Sequence, residues 1–272
     1  MSSKLGVVAL LGLLLLAGCG DDGDAAAGTR DGRAVILAAT TSLEDTGLLG
    51  ELAPRFTEET GRELKTLSVP SGQALALVER GAADVAVTNA PVEERAALAT
   101  GKVCCHARVM QNDFVVVGPP GTEPLPEDLT PREAMRAIAA RELLFISRGD
   151  ESGTNEFELG LWERAGVKPV SDRYLESGQG MGATLRIASD KAGLTLSDRG
   201  TFVAEREHLD LEILYASPAA MPAVYSLVLA KPGGRVNTEG GEALAAWLRS
   251  PRTQRRIADF EIGGEQLFRP AA

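Results

Sequence analysis

The chain has 272 residues, 44% of them hydrophobic and 24% charged, with a formal net charge of −10. That balance is ordinary for a globular body, and its sign argues against nucleic acid or anionic lipid as electrostatic partners. Aromatic residues make up only 4%, which argues against stacking platforms for sugars or bases, but local N–H and hydroxyl donors can still hold a small anion.

The first predicted element is an export signal. Residues 1–4 are short and carry Lys4, residues 5–16 are apolar apart from Gly6 and Gly12, and Leu16-Ala17-Gly18-Cys19 closes the segment. It is too short to span a bilayer stably, so residues 1–18 read as a signal peptide. A Cys directly after Leu-Ala-Gly resembles the bacterial lipobox, in which Cys19 would be lipidated. The alternative is an ordinary signal peptide cleaved near Ala17. Residues 19–33 lack apolar periodicity and read as a flexible tether. The expected location is therefore extracytoplasmic, anchored to a membrane surface by lipid. About 240 residues remain, enough for one large domain or two lobes.

From there strands and helices alternate. Residues 35–38 predict a strand, followed by a Thr/Ser loop and a helix over 47–60. A strand over 64–69 leads to a helix opened by Ser71-Gly72 and ended at Gly81. Residues 84–88 predict a strand and 93–99 a helix. Cys104 and Cys105 are neighbours, and a disulfide between them needs unusual geometry because adjacent Cα atoms are closer than disulfides prefer. With His208 as the only other histidine besides His106, a closed metal site would need carboxylates; no metal or cofactor is expected. These residues instead open or flank a strand that continues into Phe114-Val115-Val116-Val117, an apolar run suited to a strand covered on both faces. After the loop at Gly118-Pro119-Pro120-Gly121, Thr130-Pro131-Arg132-Glu133 opens a helix with a capping box. Helices over 242–249 and 251–260 complete the body. The alternation predicts parallel α/β layers.

The most informative stretch follows a predicted strand over 143–146. It runs Ser147-Arg148-Gly149-Asp150-Glu151-Ser152-Gly153-Thr154 and leads into a helix over 156–164. It combines an obligate cation, hydroxyls and glycines beside a helix N-terminus, whose unpaired N–H groups favour an anion. Taken alone, Ser-Gly-Thr is an ordinary N-capped turn. In open α/β sheets, however, ligands bind beyond the carboxyl ends of strands. Those ends carry Thr40-Thr41-Ser42, then Ser71-Gly72-Gln73, then the Arg148 stretch. Gly178-Gln179-Gly180-Met181-Gly182 precedes a helix over 183–189, and Ser197-Asp198-Arg199-Gly200-Thr201 follows the strand Leu194-Thr195-Leu196. Together they predict a donor-rich cleft. Enzyme readings fit poorly: Gly149 to Gly153 has the wrong spacing for a nucleophile elbow, and the Gly178 run misplaces the third glycine of a dinucleotide fingerprint.

These residues carry a family resemblance. Thr40-Thr41-Ser42-Leu43-Glu44-Asp45-Thr46-Gly47 resembles the N-terminal signature of the tungstate-binding proteins of bacterial ABC importers. Asn112-Asp113-Phe114 with Val117-Gly118-Pro119, the Arg148 stretch, Glu176 to Thr184, Asp198-Arg199-Gly200-Thr201 and Gly263-Gly264-Glu265-Gln266-Leu267-Phe268 follow in the family's order. The resemblance implies a two-lobed α/β fold of the periplasmic binding protein type (type II), each lobe a sheet flanked by helices. Residues 34–113 and 216–272 would form lobe 1, and residues 114–215 lobe 2. It implies capture of tungstate or molybdate and delivery to an ABC permease, with Thr41, Ser42, Ser71, Arg148, Ser152, Gly153 and Thr154 in the binding shell. The chain departs from the family at Ala39, Asn89 and Asn155, where Thr, His and His are usual, and Met221-Pro222-Ala223-Val224-Tyr225 matches the family's Asn-Pro-Tyr segment only loosely. Two other readings stay open: a phosphate-type binder with Asp150 as proton acceptor, and a ligand-sensing surface lipoprotein that passes no cargo. Asp150 is expected to orient Arg148 or cap the following turn.

Overall fold

The computed structural model describes residues 32–270 except 142, 168 and 169; the expectations for the signal peptide and for Cys19 lie outside the described residues. The described residues from 33 onward form one compact unit. Its first part alternates as expected: β1 (Val35–Ala39), α1 (Thr41–Asp45), α2 (Leu48–Thr60), β2 (Leu64–Ser68), α3 (Ser71–Glu79), β3 (Val85–Thr88) and α4 (Pro91–Ala99). The predicted Thr/Ser loop is a correction. Thr40, in extended backbone, is the N-cap of α1, so Thr41 and Ser42 stand in its first turn.

β4 (Val103–Gly118) is the longest strand, and α5 (Pro131–Ala139) follows with both halves of its capping box made between Thr130 and Glu133. Then come β5 (Phe145–Ser147), α6 (Gly153–Ala165), β6 (Tyr174–Glu176), α7 (Met181–Asp190), β7 (Leu194–Asp198), α8 (Arg199–Glu205) and β8 (Glu212–Ala216). The chain ends through β9 (Pro222–Ala230), α9 (Thr238–Leu248), α10 (Pro251–Ala258), β10 (Glu261–Ile262), β11 (Glu265–Gln266) and β12 (Arg269–Pro270). α6 begins at Gly153, before the predicted 156, and α8 lies where no helix was predicted. Ser152 and Asp198 are their N-caps, accepting from Asn155 N and Thr201 N.

Among the described residues, ten strands connect in the order β2-β1-β3-β9-β4-β7-β5-β6, with β12 and β8 also on β4. The expectation of parallel layers is corrected in part. β1, β2 and β3 pair parallel, as do β5, β6 and β7, but β4 is antiparallel to β7, β8 and β9, and β9 is antiparallel to β3. The apolar run at Phe114 is a strand covered on both faces, as expected, and such burial carries no information on strand direction. β9 was not anticipated. Its opening Pro222 sits at the first strand position, where a missing N–H is tolerated.

β4 joins two groups of strands. Its residues from Val103 to Asp113 pair with β9, and those from Phe114 to Gly118 with β7 and β8. Packed on these sheets are aromatic contacts such as Phe56 against Trp247 and Phe145 against Trp162, edge-on at 5.5 and 5.1 Å. A buried carboxylate ties the first group together: Asp84 Oδ2 accepts from Ile36 N at 2.8 Å and Oδ1 from Asn237 N at 2.6 Å. Asp84→Ala strands both N–H groups, and we expect it to cost about 2–4 kcal/mol. Urea unfolding should show this as a lower midpoint at unchanged slope.

Candidate anion-binding site

The carboxyl ends of β1, β2, β3 and β5 bring their hydroxyls and amides together. At the end of β1, Thr40 N donates to Val87 O at 3.0 Å, while its buried Oγ1 has no protein partner. Thr41 Oγ1 accepts from Arg148 Nη2 at 3.4 Å. Ser42 Oγ lies 3.2 Å from the Tyr225 hydroxyl. At the start of α3, Ser71 Oγ donates to Asn89 Oδ1 at 3.2 Å, and Asn89 Nδ2 is left buried without a partner.

Arg148 supplies the charge. Its side chain is 1% exposed, and Nη2 donates to Asp150 Oδ2 at 2.5 Å. A guanidinium has five N–H donors and cannot lose its proton; here Nε is buried with no protein partner. Asp150 takes both roles expected of it, because Oδ1 accepts from Ser152 N at 3.3 Å. Gly149 and Glu151 adopt left-handed backbone at φ 59° and 57°, and this loop folds the carboxylate back on its own arginine.

The N-terminus of α6 completes the cluster. Ser152 Oγ accepts from Asn155 N at 3.3 Å, and Thr154 Oγ1 is buried without a protein partner. Gly153 is held where no side chain fits: a Cβ there would sit 2.4 Å from Asn89 O and 2.6 Å from Asn89 Oδ1. This close approach places the α6 N-terminus directly against the β3–α4 loop and its free amide. Asn155 is not a free donor, since Nδ2 donates to Ser147 Oγ at 3.2 Å and Oδ1 accepts from Glu151 N at 3.3 Å.

Thr40, Asn89, Arg148 and Thr154 thus each hold a buried polar atom with no protein partner. Buried polar groups are overwhelmingly satisfied in folded proteins, so these four, three just after strands and one in the first turn of α6, make a candidate place for a guest. All four can donate, which suits an acceptor-only ligand. Thr40 and Asn89 are additions to the expected shell; both stand immediately after strands, which was the available signal.

Neighbouring carboxyls are held toward the neutral form. Burial pushes Asp198 up, opposed by the Thr201 and Asn112 hydrogen bonds and by Arg148. Asp45 is pushed up by burial and by Asp198, against the Gly182 N–H and Arg148. Glu93 is raised to about 7 by burial first, then by Glu156, Glu151, Glu94 and Asp150, and it packs 3.6 Å from the Cβ position of Gly72, beside Ser71. A carboxyl raised in the folded state contributes stability that is present below its unfolded value of 4.5 and lost as pH rises through about 7. Glu93 is only partly buried, so we discount the full linkage to about 1 kcal/mol. Chemical unfolding at pH 5 and pH 8 should show the wild type losing about that much more stability than Glu93→Gln.

A mixed sheet whose strand ends present helix N-termini, hydroxyls and one buried arginine defines a solute-binding protein of the periplasmic type. The chain belongs to the PBP superfamily, whose domain model matches residues 24–252, and within it to the family of the tungstate-binding proteins. It is 36% identical to the tungstate-binding protein TupA of Peptoclostridium acidaminophilum over 88% of this chain and 86% of that one. It is 40% identical to a putative ABC transporter anion-binding protein of Haloferax volcanii, over 88% and 72%. Among solved structures, the tungstate-binding protein TupA of Desulfovibrio alaskensis G20 is 35% identical and superposes with a TM-score of 0.74, covering 88% of this chain and 99% of that one.

Proposed function

We propose that the chain is the solute-binding component of an ABC importer, that it captures a tetrahedral oxyanion, tungstate or molybdate, and that it delivers the ion to a permease. The observation that carries this reading is the set of buried, unpartnered donors around Arg148. Tungstate and molybdate are dianions near neutral pH and only accept hydrogen bonds, so a donor-only shell suits them. Phosphate keeps a proton there and needs an acceptor. Asp150 has both oxygens engaged, by Arg148 and by Ser152 N, which disfavours phosphate.

In this reading Thr41, Ser42, Ser71, Arg148, Ser152, Gly153 and Thr154 form the shell, joined by Thr40 and Asn89. The two strand groups sharing β4 act as lobes, divided near Asp113 and Tyr215, and close by a hinge motion on the ion. Cys19 carries the lipid that anchors the protein outside the cytoplasm. Binding rather than catalysis is supported by the relatives, which carry binding-protein names.

Titration calorimetry with tungstate, molybdate, sulfate and phosphate, each in phosphate-free buffer, tests the reading. Tight binding of tungstate or molybdate with weak or silent phosphate is expected. Binding of phosphate alone, or of none of the four, would overturn it.

A further inference from the structure

A second chemically distinct feature lies away from the anion cluster, near the start of β4. Cys104 and Cys105 are both free thiols, the first half-buried and the second exposed. Their sulfurs are 3.0 Å apart, with the Cys105 thiol directed at Cys104. The backbone is shaped to hold them so: Cys105 adopts left-handed φ of 59°, unusual for a residue with a side chain. The pairing of β4 with β9 slips between Cys104 and Ala107, so the two residues sit in a bulge. Consecutive residues of a regular strand point their side chains to opposite faces; the bulge is what turns both thiols to one side. Bulges of this kind re-aim side chains, and here the side chains re-aimed are a matched pair of nucleophiles.

We propose that Cys104 and Cys105 are a redox-active pair that closes reversibly into a vicinal disulfide by exchange with a small-molecule disulfide. Cys105, the exposed thiol, attacks as thiolate on one sulfur of the oxidant and releases one small thiol, leaving a mixed disulfide. Cys104 then gives up its proton and attacks Cys105 Sγ, releasing the second small thiol. Two protein thiols are oxidised and one external disulfide is reduced, so electrons and protons balance. Burial and the neighbouring Cys105 raise the Cys104 thiol to about 11, so the second step should be the slow one and should accelerate with pH. Adjacent Cα atoms are closer than ordinary disulfides prefer, which makes such a ring more reducible than a structural bridge. The pair is therefore a reversible modification site rather than a staple.

Full-length chain equilibrated with glutathione disulfide, quenched with an alkylating agent and cut with trypsin tests this. Cleavage after Lys102 and Arg108 places both cysteines in one short peptide, apart from Cys19. The expected peptide is lighter by two hydrogens and unalkylated, and takes two alkyl groups only after reduction. Its formation constant against glutathione should be at least about tenfold larger in the folded protein than in urea, because the bulge pre-aligns the sulfurs. Two free thiols, a stable glutathione adduct, a crosslink to Cys19, or equal constants in the folded and unfolded chain would each overturn the proposal.

Discussion

Replacing Arg148 with alanine is expected to weaken tungstate binding about a hundredfold or more. Charge-assisted hydrogen bonds contribute about 1.5–3 kcal/mol each, and about 1.4 kcal/mol is a tenfold change in affinity. Arg148 is 1% exposed and has a spare Nε, so neither water nor another cation replaces it. The same change leaves Asp150 buried and unpaired, which should cost stability as well, by about 3–5 kcal/mol. Arg148→Ala combined with Asp150→Asn separates the two effects: stability should largely return while affinity stays low. Asn155→Ala is the contrast. Its amide is already spent on Ser147 and Glu151, so calorimetry should find affinity changed by less than about fivefold. Equal losses for Arg148→Ala and Asn155→Ala would mean that the anion sits elsewhere.

Gly153→Ala should rival that loss through geometry alone. The added methyl would meet Asn89 O at 2.4 Å and Asn89 Oδ1 at 2.6 Å, and backbone cannot give way as a side chain tip does. The α6 N-terminus and the β3–α4 loop must then separate, which pulls Ser152, Gly153 and Thr154 from Ser71 and Asn89. Donors misplaced by about 1 Å lose most of a hydrogen bond's value, and we expect a tenfold to hundredfold weaker affinity. The strain is present without ligand too, so thermal unfolding of the apo protein should show a lower midpoint, by an overpacking cost of about 1–3 kcal/mol. Unaltered tungstate affinity in Gly153→Ala would show that this approach is not required for binding.

Much of the site was legible because its parts obey local rules. Ser152 caps α6 and Thr130 caps α5 through residue types that prefer those positions. The rule that ligands gather beyond strand ends then placed Thr41, Ser71 and Arg148 in one region before any contact was visible. Three things were not legible. The first turn of α1 looked like a loop because five residues cannot show helical periodicity. The direction of β4 was hidden by burial on both faces. Asn89 read as a departure from the family, whereas its place against Gly153 depends on an approach between segments far apart in sequence. Such contacts leave only weak marks on either segment, here a single glycine.

One tetrahedral dianion is expected to bind among Thr40, Asn89, Arg148 and Thr154. A crystal of the protein grown with tungstate, with the tungsten located by its anomalous scattering, tests it most directly. One strong peak is expected, with oxygens within hydrogen-bond reach of Arg148 Nε and the α6 N-terminus and with no carboxylate oxygen in direct contact. A peak anywhere else, or a tungstate held away from Arg148, would contradict it.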